Sequence, residues 1–436
     1  MNPLGKTEAK GFDALREKLK PRSVFARGLA RWMPLDADTQ SQNVRRVLID
    51  GIGVGIAAAA SPYLPVFLAR LGADNFAVGL LTSMPALAGL IFAVPLGQFL
   101  ARQQNIVPWY SRARLLVILC YALTGLVPFL VADQRVLTIL LIWALATIPQ
   151  TIVNLGFTIV MGDVAGPKGR LYLMSRRWSS LGITTAIMVA FAGLVLERIP
   201  FPLNYQIVFM VLSLGGVLSF AFSSRILLPD QKPPLVSPVK ESLRERARQG
   251  WAQLRAQKKF MRVIGSQFVY RFGFAFALPL FPLYYVRVLN ASDASIGLIT
   301  TVQGAVLLVA YYVWARVTKQ RGVRFALLVT TLAVAFYPII LSFTQAIPLV
   351  ILLSGIAAIF AAGIDLVFFD MVVESYPHNE AATFVGIQQF TVYLVTFIAP
   401  FVATTIATTI SIPAALVVAG VIRLVGFGMF VVFAKE

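Results

Sequence analysis

Two stretches decide the fold: SPYLPVFLARLGADNFAVGLLT at 61–82 and LPLFPLYYVRVLNASDASIGLIT at 278–300. They carry nearly the same pattern half a chain apart. Pro62-Tyr-Leu-Pro65 runs through Arg70 and Asp74 to Gly79-Leu-Leu-Thr82, and Pro279-Leu-Phe-Pro282 runs through Arg287 and Asp293 to Gly297-Leu-Ile-Thr300. The step from Pro65 to Arg70 equals that from Pro282 to Arg287, while Arg70 to Gly79 is one residue shorter than Arg287 to Gly297. A single gap therefore aligns the copies. Both sit in strongly apolar sequence, and a duplicated apolar bundle with a site between its halves is a common build for transporters.

Composition agrees. With 58% hydrophobic residues, 13% charged and a mean hydropathy of +0.78, the chain is too apolar for one soluble core, so lipid must be its solvent. A hydrocarbon layer about 30 Å thick takes about 20 mostly apolar residues per helix. Twelve such segments begin near Val44, Phe76, Leu115, Val136, Trp178, Tyr205, Met261, Ala294, Val323, Pro348, Gly386 and Pro413. Their Gly and Pro residues fit membrane helices, where neighbours satisfy the freed backbone groups, and alternation of the β-barrel kind is absent. The expected fold class is an all-α polytopic membrane protein, with twelve helices in two pseudo-symmetric six-helix bundles at 44–226 and 261–436. A basic segment at 1–43 precedes them, and a linker at 227–260 joins them.

A net charge of +19 would suggest nucleic acid in a soluble protein, but its distribution excludes that. With both termini inside, Arg70, Arg135, Arg198 and Arg287 lie in outer loops and Arg271 and Arg423 lie deep in helices, leaving thirty-two of the 38 Lys and Arg in cytoplasmic segments. Arg45, Arg46, Arg102, Arg112, Arg114, Lys168, Arg170, Arg176, Arg177, Arg316, Lys319, Arg321 and Arg324 are among them. This positive-inside bias places both termini in the cytoplasm of a multi-pass cell (inner or plasma) membrane protein. The first forty residues hold no apolar run of the signal-peptide kind. Residues 11–33 instead set Phe12, Leu15 and Leu19, then Val24, Phe25, Leu29 and Trp32, among basic residues, as in short helices lying on an anionic cytoplasmic leaflet. Pro229 to Pro238 reads as a Pro-rich linker, and Lys240 to Lys259 as a surface helix.

Cys120 and His378 are each the single residue of their type. Disulfides, Cys/His metal clusters and Ser/His catalysis thus lack partners, and no enzyme activity, cofactor or metal is expected. The chemistry falls to charges inside the membrane. Arg271 lies about ten residues, or roughly 15 Å, into its helix, too deep to reach the interface easily. Asp365 is similarly deep in the tenth helix, while Asp50 lies one turn beyond Arg45 and Arg46. Either Arg271 and Asp365 pair, or Arg271 takes an anionic substrate group and Asp365 a cation or proton. Arg423 reads as an internal tie to backbone carbonyls. Asp370 and Glu374, one turn apart, read as a gate or a capped helix end. Asn154 and Asp163 stand at the same offset as Asp365 and Glu374, so equivalent polar positions recur in both halves.

Twelve helices in two repeats with a basic central loop resemble the major facilitator superfamily. Met161-Gly-Asp163, Pro167-Lys-Gly169-Arg170 and Arg176-Arg177-Trp178 are similar to the run after the fourth helix of many prokaryotic members, and Phe260 to Pro282 looks like the seventh helix. One motif departs. Where the family usually has Gly-x-x-x-Asp-Arg between helices two and three, Gly97 and Arg102 remain but Ala101 replaces the acid, and the later copy has Lys319 there. The resemblance implies two halves rocking about a central site, which maps here to Asp50, Asn154, Gln267, Arg271 and Asp365. Gating then falls to Gly97, Arg102, Asp163, Arg170, Asp370 and Glu374. The implied function is secondary active transport of a small organic solute by a monomer, with efflux favoured over uptake. The alternative is a non-transporting assembly factor or a pigment- or lipid-handling factor, which the missing acids suggest.

Overall fold

The computed structural model describes residues 39–131, 133–228, 257–373, 375 and 381–433. The expected amphipathic segment at 11–33, the Pro-rich linker, almost all of 240–259, His378 and Glu374 fall outside them. The regular structure among the described residues is all helical, with no strand. Among the described residues, twelve helices are long and apolar enough to cross a membrane: Ser41–Arg70, Asn75–Leu100, Val107–Leu130, Arg135–Met161, Arg176–Arg198, Leu203–Ser223, Lys258–Val288, Asp293–Arg321, Val323–Ser342, Ile347–Val372, Gly386–Thr409 and Ile412–Val432. Below they are the first to twelfth spans.

The third helix starts at Val107 rather than near Leu115, and the first at Thr39. Sequence hydropathy misses these turns because their arginines depress the local average. Backbone assignment is helical without a break from Arg135 to Arg198, yet the Phe157 ring meets Trp178 edge-on at 6.1 Å. Twenty-one residues of straight helix would hold them about 30 Å apart. The chain therefore folds back between them, and the fourth and fifth spans pack antiparallel.

Local chemistry explains the turns of the repeat. Asp74 caps the second span by accepting the Ala77 N–H at 2.7 Å, and Ser292 caps the eighth by accepting from Ser295 N–H at 3.2 Å. The caps align Asp74 with Ser292 and Asn75 with Asp293, so the two acids of the repeat are not equivalents. Just before each cap the backbone turns left-handed, at Gly72 (φ 88°) and Asn290 (φ 47°), conformations that Gly and Asn tolerate best. The one-residue gap coincides with a π-helical turn at Tyr284–Val288, where Leu289 N–H reaches Tyr284 O at 3.0 Å. Such a turn accommodates one inserted residue.

With six spans in each half, Thr39, Leu228, Gln257 and Phe433 lie at one end of the bundle, the terminal end; the repeat turns lie at the other, the far end. One hydrophobic core spans both halves towards the far end, joining Tyr63, Phe67 and Tyr205 to Phe276, Leu280 and Ala403. Elsewhere the cores separate: one around Val47, Tyr110 and Val160 in the first half, and two in the second, around Trp314 and Phe368 and around Phe260 and Phe384. The outer face is apolar, with Leu145, Leu214 and Phe343 largely exposed, as a lipid-facing surface requires.

Candidate functional site

Asp50 is fully buried in the first span, and its carboxylate is held from three other spans. Arg114 Nη1 lies 2.7 Å from both carboxylate oxygens, Arg177 Nη2 lies 3.2 Å from Oδ2, and Ser219 Oγ donates to Oδ1 at 2.6 Å. Arg114 also donates to the Tyr110 hydroxyl. Hydropathy alone assigns Arg114 and Arg177 to cytoplasmic loops; they are instead 6% and 2% exposed, inside the third and fifth spans. Their helices begin earlier than hydropathy shows. Asp50, expected as a cavity acid near Arg45 and Arg46, is enclosed by these guanidiniums and serves to hold them.

Two guanidiniums, which do not deprotonate in proteins, thus face one carboxylate among the described residues. Arg177 Nε is buried with no hydrogen-bond partner, and its guanidinium sits 4.7 Å over the Phe157 ring. Both arginines line a cavity of about 430 Å³ inside the first half, between its first, third, fourth and fifth spans. Gln150 and Asn154 are among its polar wall residues, and Gln150 Nε2 donates to Asn154 Oδ1 at 2.9 Å. Asn154 and Trp178 are the exposed members of that wall.

The second half arranges its charges differently. Asp365 is exposed and accepts from the Tyr311 hydroxyl at 2.8 Å. Arg271 lies over the Phe368 ring at 5.1 Å, with Nε buried and unpartnered. No ion pair joins Arg271 to Asp365; the salt bridges among described residues are those of Asp50 and one between Arg70 and Asp293. Of the two readings of this couple, the contact pair is not formed. Gln267 is buried, donating to Phe368 O at 3.0 Å while its Oε1 goes unpartnered. Arg423 is 1% exposed and donates to Gly273 O at 3.2 Å and Val334 O at 3.0 Å, the carbonyl tie that its depth suggests.

Of the expected gate residues, Gly97 has open space around its Cα and Arg102 is exposed beyond the end of the second helix. Asp370 shares a shallow pocket with Lys319. The side chains of Asp163 and Arg170 are outside the described set.

Among the described residues, a cluster of polar contacts joins the halves at the far end, in the repeat itself. Arg70 donates to Asp293 through Nε (2.9 Å), lies 2.7 Å from it through Nη2, and also reaches Ala291 O at 2.9 Å. Tyr205 donates to the same carboxylate oxygen at 2.7 Å. Reciprocally, Arg287 donates to Ala73 O and Asn75 Oδ1, and Asn75 Nδ2 donates to Thr408. Each arginine therefore grips the same backbone carbonyl and the same cap-following side chain of the other half, Asp293 in one case and Asn75 in the other. Below this latch the halves touch along the second and eleventh spans and along the fifth and eighth. A Cβ on Gly89 would lie 2.6 Å from the Tyr393 ring, and one on Gly182 would lie 3.2 Å from Leu308. Nearer the terminal end, a Cβ on Gly97 or Gly386 would meet nothing within 4 Å.

Comparison with known proteins places this architecture. The sequence pattern of the Major Facilitator Superfamily matches residues 48–266 and again 263–436. No curated protein matches the sequence. Among solved structures, a bacterial homolog of the human lysosomal transporter Spinster, in an inward-facing and unoccupied conformation, superposes with a TM-score of 0.68 at 13% identity, covering 91% of this chain and 97% of that one. The nucleoside transporter NupG gives 0.68 at 8% identity, covering 91% and 99%. The human organic anion transporter MFSD10 gives 0.60 at 15%, covering 90% and 100%. At these identities the likeness is one of fold. The two pattern matches together cover nearly the whole chain, which belongs to the major facilitator superfamily.

Proposed function

We propose that this protein is a secondary active transporter that moves a small organic solute by alternating access, with the terminal end in the cytoplasm of a cell membrane. The observation that carries the reading is the uneven join between the halves. A reciprocal arginine latch and one shared core close the far end, while the cores separate towards the terminal end. A two-bundle protein held together at one end only has the form of one side of a rocking cycle. The cytoplasmic placement follows from the arginine- and lysine-rich loops there, because Arg45, Arg102, Arg112, Arg316, Lys319, Arg321 and Arg324 remain exposed at that end.

The test is a proteoliposome screen of organic solutes with and without a pH gradient, paired with single-cysteine labelling from each side. Gradient-dependent accumulation, with sites near the latch and near the cavity labelled alternately, is the expected result. A protein whose labelling never changes side, and which moves none of the solutes, would be an assembly or lipid-handling factor instead.

A further inference from the structure

We propose that the cavity inside the first half binds an organic monoanion, its carboxylate seated against Arg177 and its apolar body along the walls formed by Val54, Tyr121 and Leu181. This rests on the transport reading for what the ligand is, a cargo, but not for the site itself.

Three features of the site lead there. First, the charge does not balance: among the described residues, Asp50 is the only carboxylate in ion-pair contact with the two buried guanidiniums, leaving one net positive charge in a low-dielectric setting where an unpaired charge is costly. Second, the donor inventory is incomplete. Arg177 is 2% exposed, and its Nε–H has no acceptor, whereas buried polar groups normally find one. The Phe157 ring at 4.7 Å offsets part of the charge but supplies no oxygen or nitrogen acceptor for that N–H. Third, the vacant space beside these groups is of ligand size. At about 430 Å³ it falls within the roughly 300–1,000 Å³ of small-molecule sites and has their usual makeup, apolar walls with a few convergent polar groups. A guanidinium presents paired N–H groups that match a carboxylate, and a single negative charge completes the balance. Gln150 and Asn154 stand on the wall of the same cavity, where they can take further polar groups of the solute.

The size of the cavity selects a soluble carboxylate over a two-chain lipid. The full-length protein in phosphatidylcholine nanodiscs is titrated with octanoate, octanol and octylammonium, against empty nanodiscs. Octanoate should bind saturably and the other two should not. Arg177→Gln, which leaves Asp50 with Arg114 and Ser219, should weaken octanoate at least tenfold. Leu181→Trp fills the cavity without touching the ion cluster and should do the same, so it tests the site even if Arg177→Gln does not fold. Equal binding of octanoate and octanol, or wild-type octanoate affinity in Leu181→Trp, overturns the proposal. Replacing phosphatidylcholine with phosphatidylglycerol should leave octanoate binding intact; its loss would assign the cavity to an anionic lipid head and overturn the solute assignment. Saturable binding without alternating labelling would refute the transport reading alone, and alternating labelling without octanoate binding would refute this site alone.

Discussion

The far-end latch gives the sharpest test of how the halves are held. In Arg70→Gln, Asp293 loses two guanidinium N–H contacts at 2.9 and 2.7 Å and Ala291 O loses its donor, while Tyr205 still donates to the acid at 2.7 Å. Removing one partner of a fully buried pair costs about 3–5 kcal/mol. The Arg70 side chain is 28% exposed and Asp293 8%, so water and Tyr205 take up part of the loss, and about 2 kcal/mol is the working figure. The contact joins the two halves, so its loss falls on the closed far end alone and moves the conformational equilibrium about 30-fold towards opening there. The reporter is Thr404→Cys in a Cys120→Ser background. Thr404 is 1% exposed, pressed against Gly79 between the second and eleventh spans. An impermeant maleimide applied from the far side should label it at least tenfold faster in Arg70→Gln. Asp293→Asn should raise the rate as well, and the double variant should be no faster than the faster single one, since both remove one interaction. A labelling rate within threefold of the parent in Arg70→Gln would refute the latch.

Arg287→Gln should shift the same reporter by no more than about fivefold, because Arg287 is exposed and grips a neutral side chain and a carbonyl. Asp50→Asn strips the carboxylate from two buried guanidiniums; a loss of about 3–5 kcal/mol should appear as a lowered unfolding temperature in detergent, and an unchanged one would contradict the cluster. Arg271→Gln and Asp365→Asn, which form no ion pair but lie within electrostatic reach of each other, should couple in unfolding free energy by no more than about 1 kcal/mol; a larger coupling would restore the pair reading. Gly53→Ala would put a Cβ 2.6 Å from Ser219 N and 2.7 Å from Gly215 O, where the first and sixth helices cross, and should destabilise by about 1–3 kcal/mol. Gly97→Ala meets nothing within 4 Å and should be neutral or slightly stabilising.

The twelve spans and the two halves were legible because hydropathy and duplication are properties of the chain itself. Arg423 was legible too: a deep arginine in an apolar helix must find carbonyls, and it does. The ion cluster was not. Arg114 and Arg177 look like loop charges, since each has another arginine close by at a span boundary and hydropathy cannot tell a helix turn that carries a buried arginine from the loop before it. Only the crossing of the first, third, fifth and sixth spans reveals that Asp50 faces inwards there. The Arg271–Asp365 couple shows the opposite limit. Similar depth in two helices does not fix rotation about their axes, and rotation turns Asp365 to Tyr311 and Arg271 to Phe368. The latch was half legible, because the repeat showed Arg70 and Arg287 as equivalents without showing that each serves the other half.

The two ends of the molecule therefore differ in what holds them. At the far end, duplication placed an arginine and its acceptors on both halves, and pseudo-symmetry lets each arginine reach across, so attraction closes that end. At the terminal end the family's usual acid is replaced by Ala101 in one half and Lys319 in the other, and no ion pair among the described residues joins the halves there. Arg102, Arg316, Lys319 and Arg321 are exposed at that end and Asp370 lies beside Lys319, so the described charges there are mostly of one sign and resist being brought together. Attraction at one end and repulsion at the other act in the same direction. Both favour the arrangement seen here; on the alternating-access reading proposed above, closing the terminal end would therefore draw on free energy supplied by the bound solute.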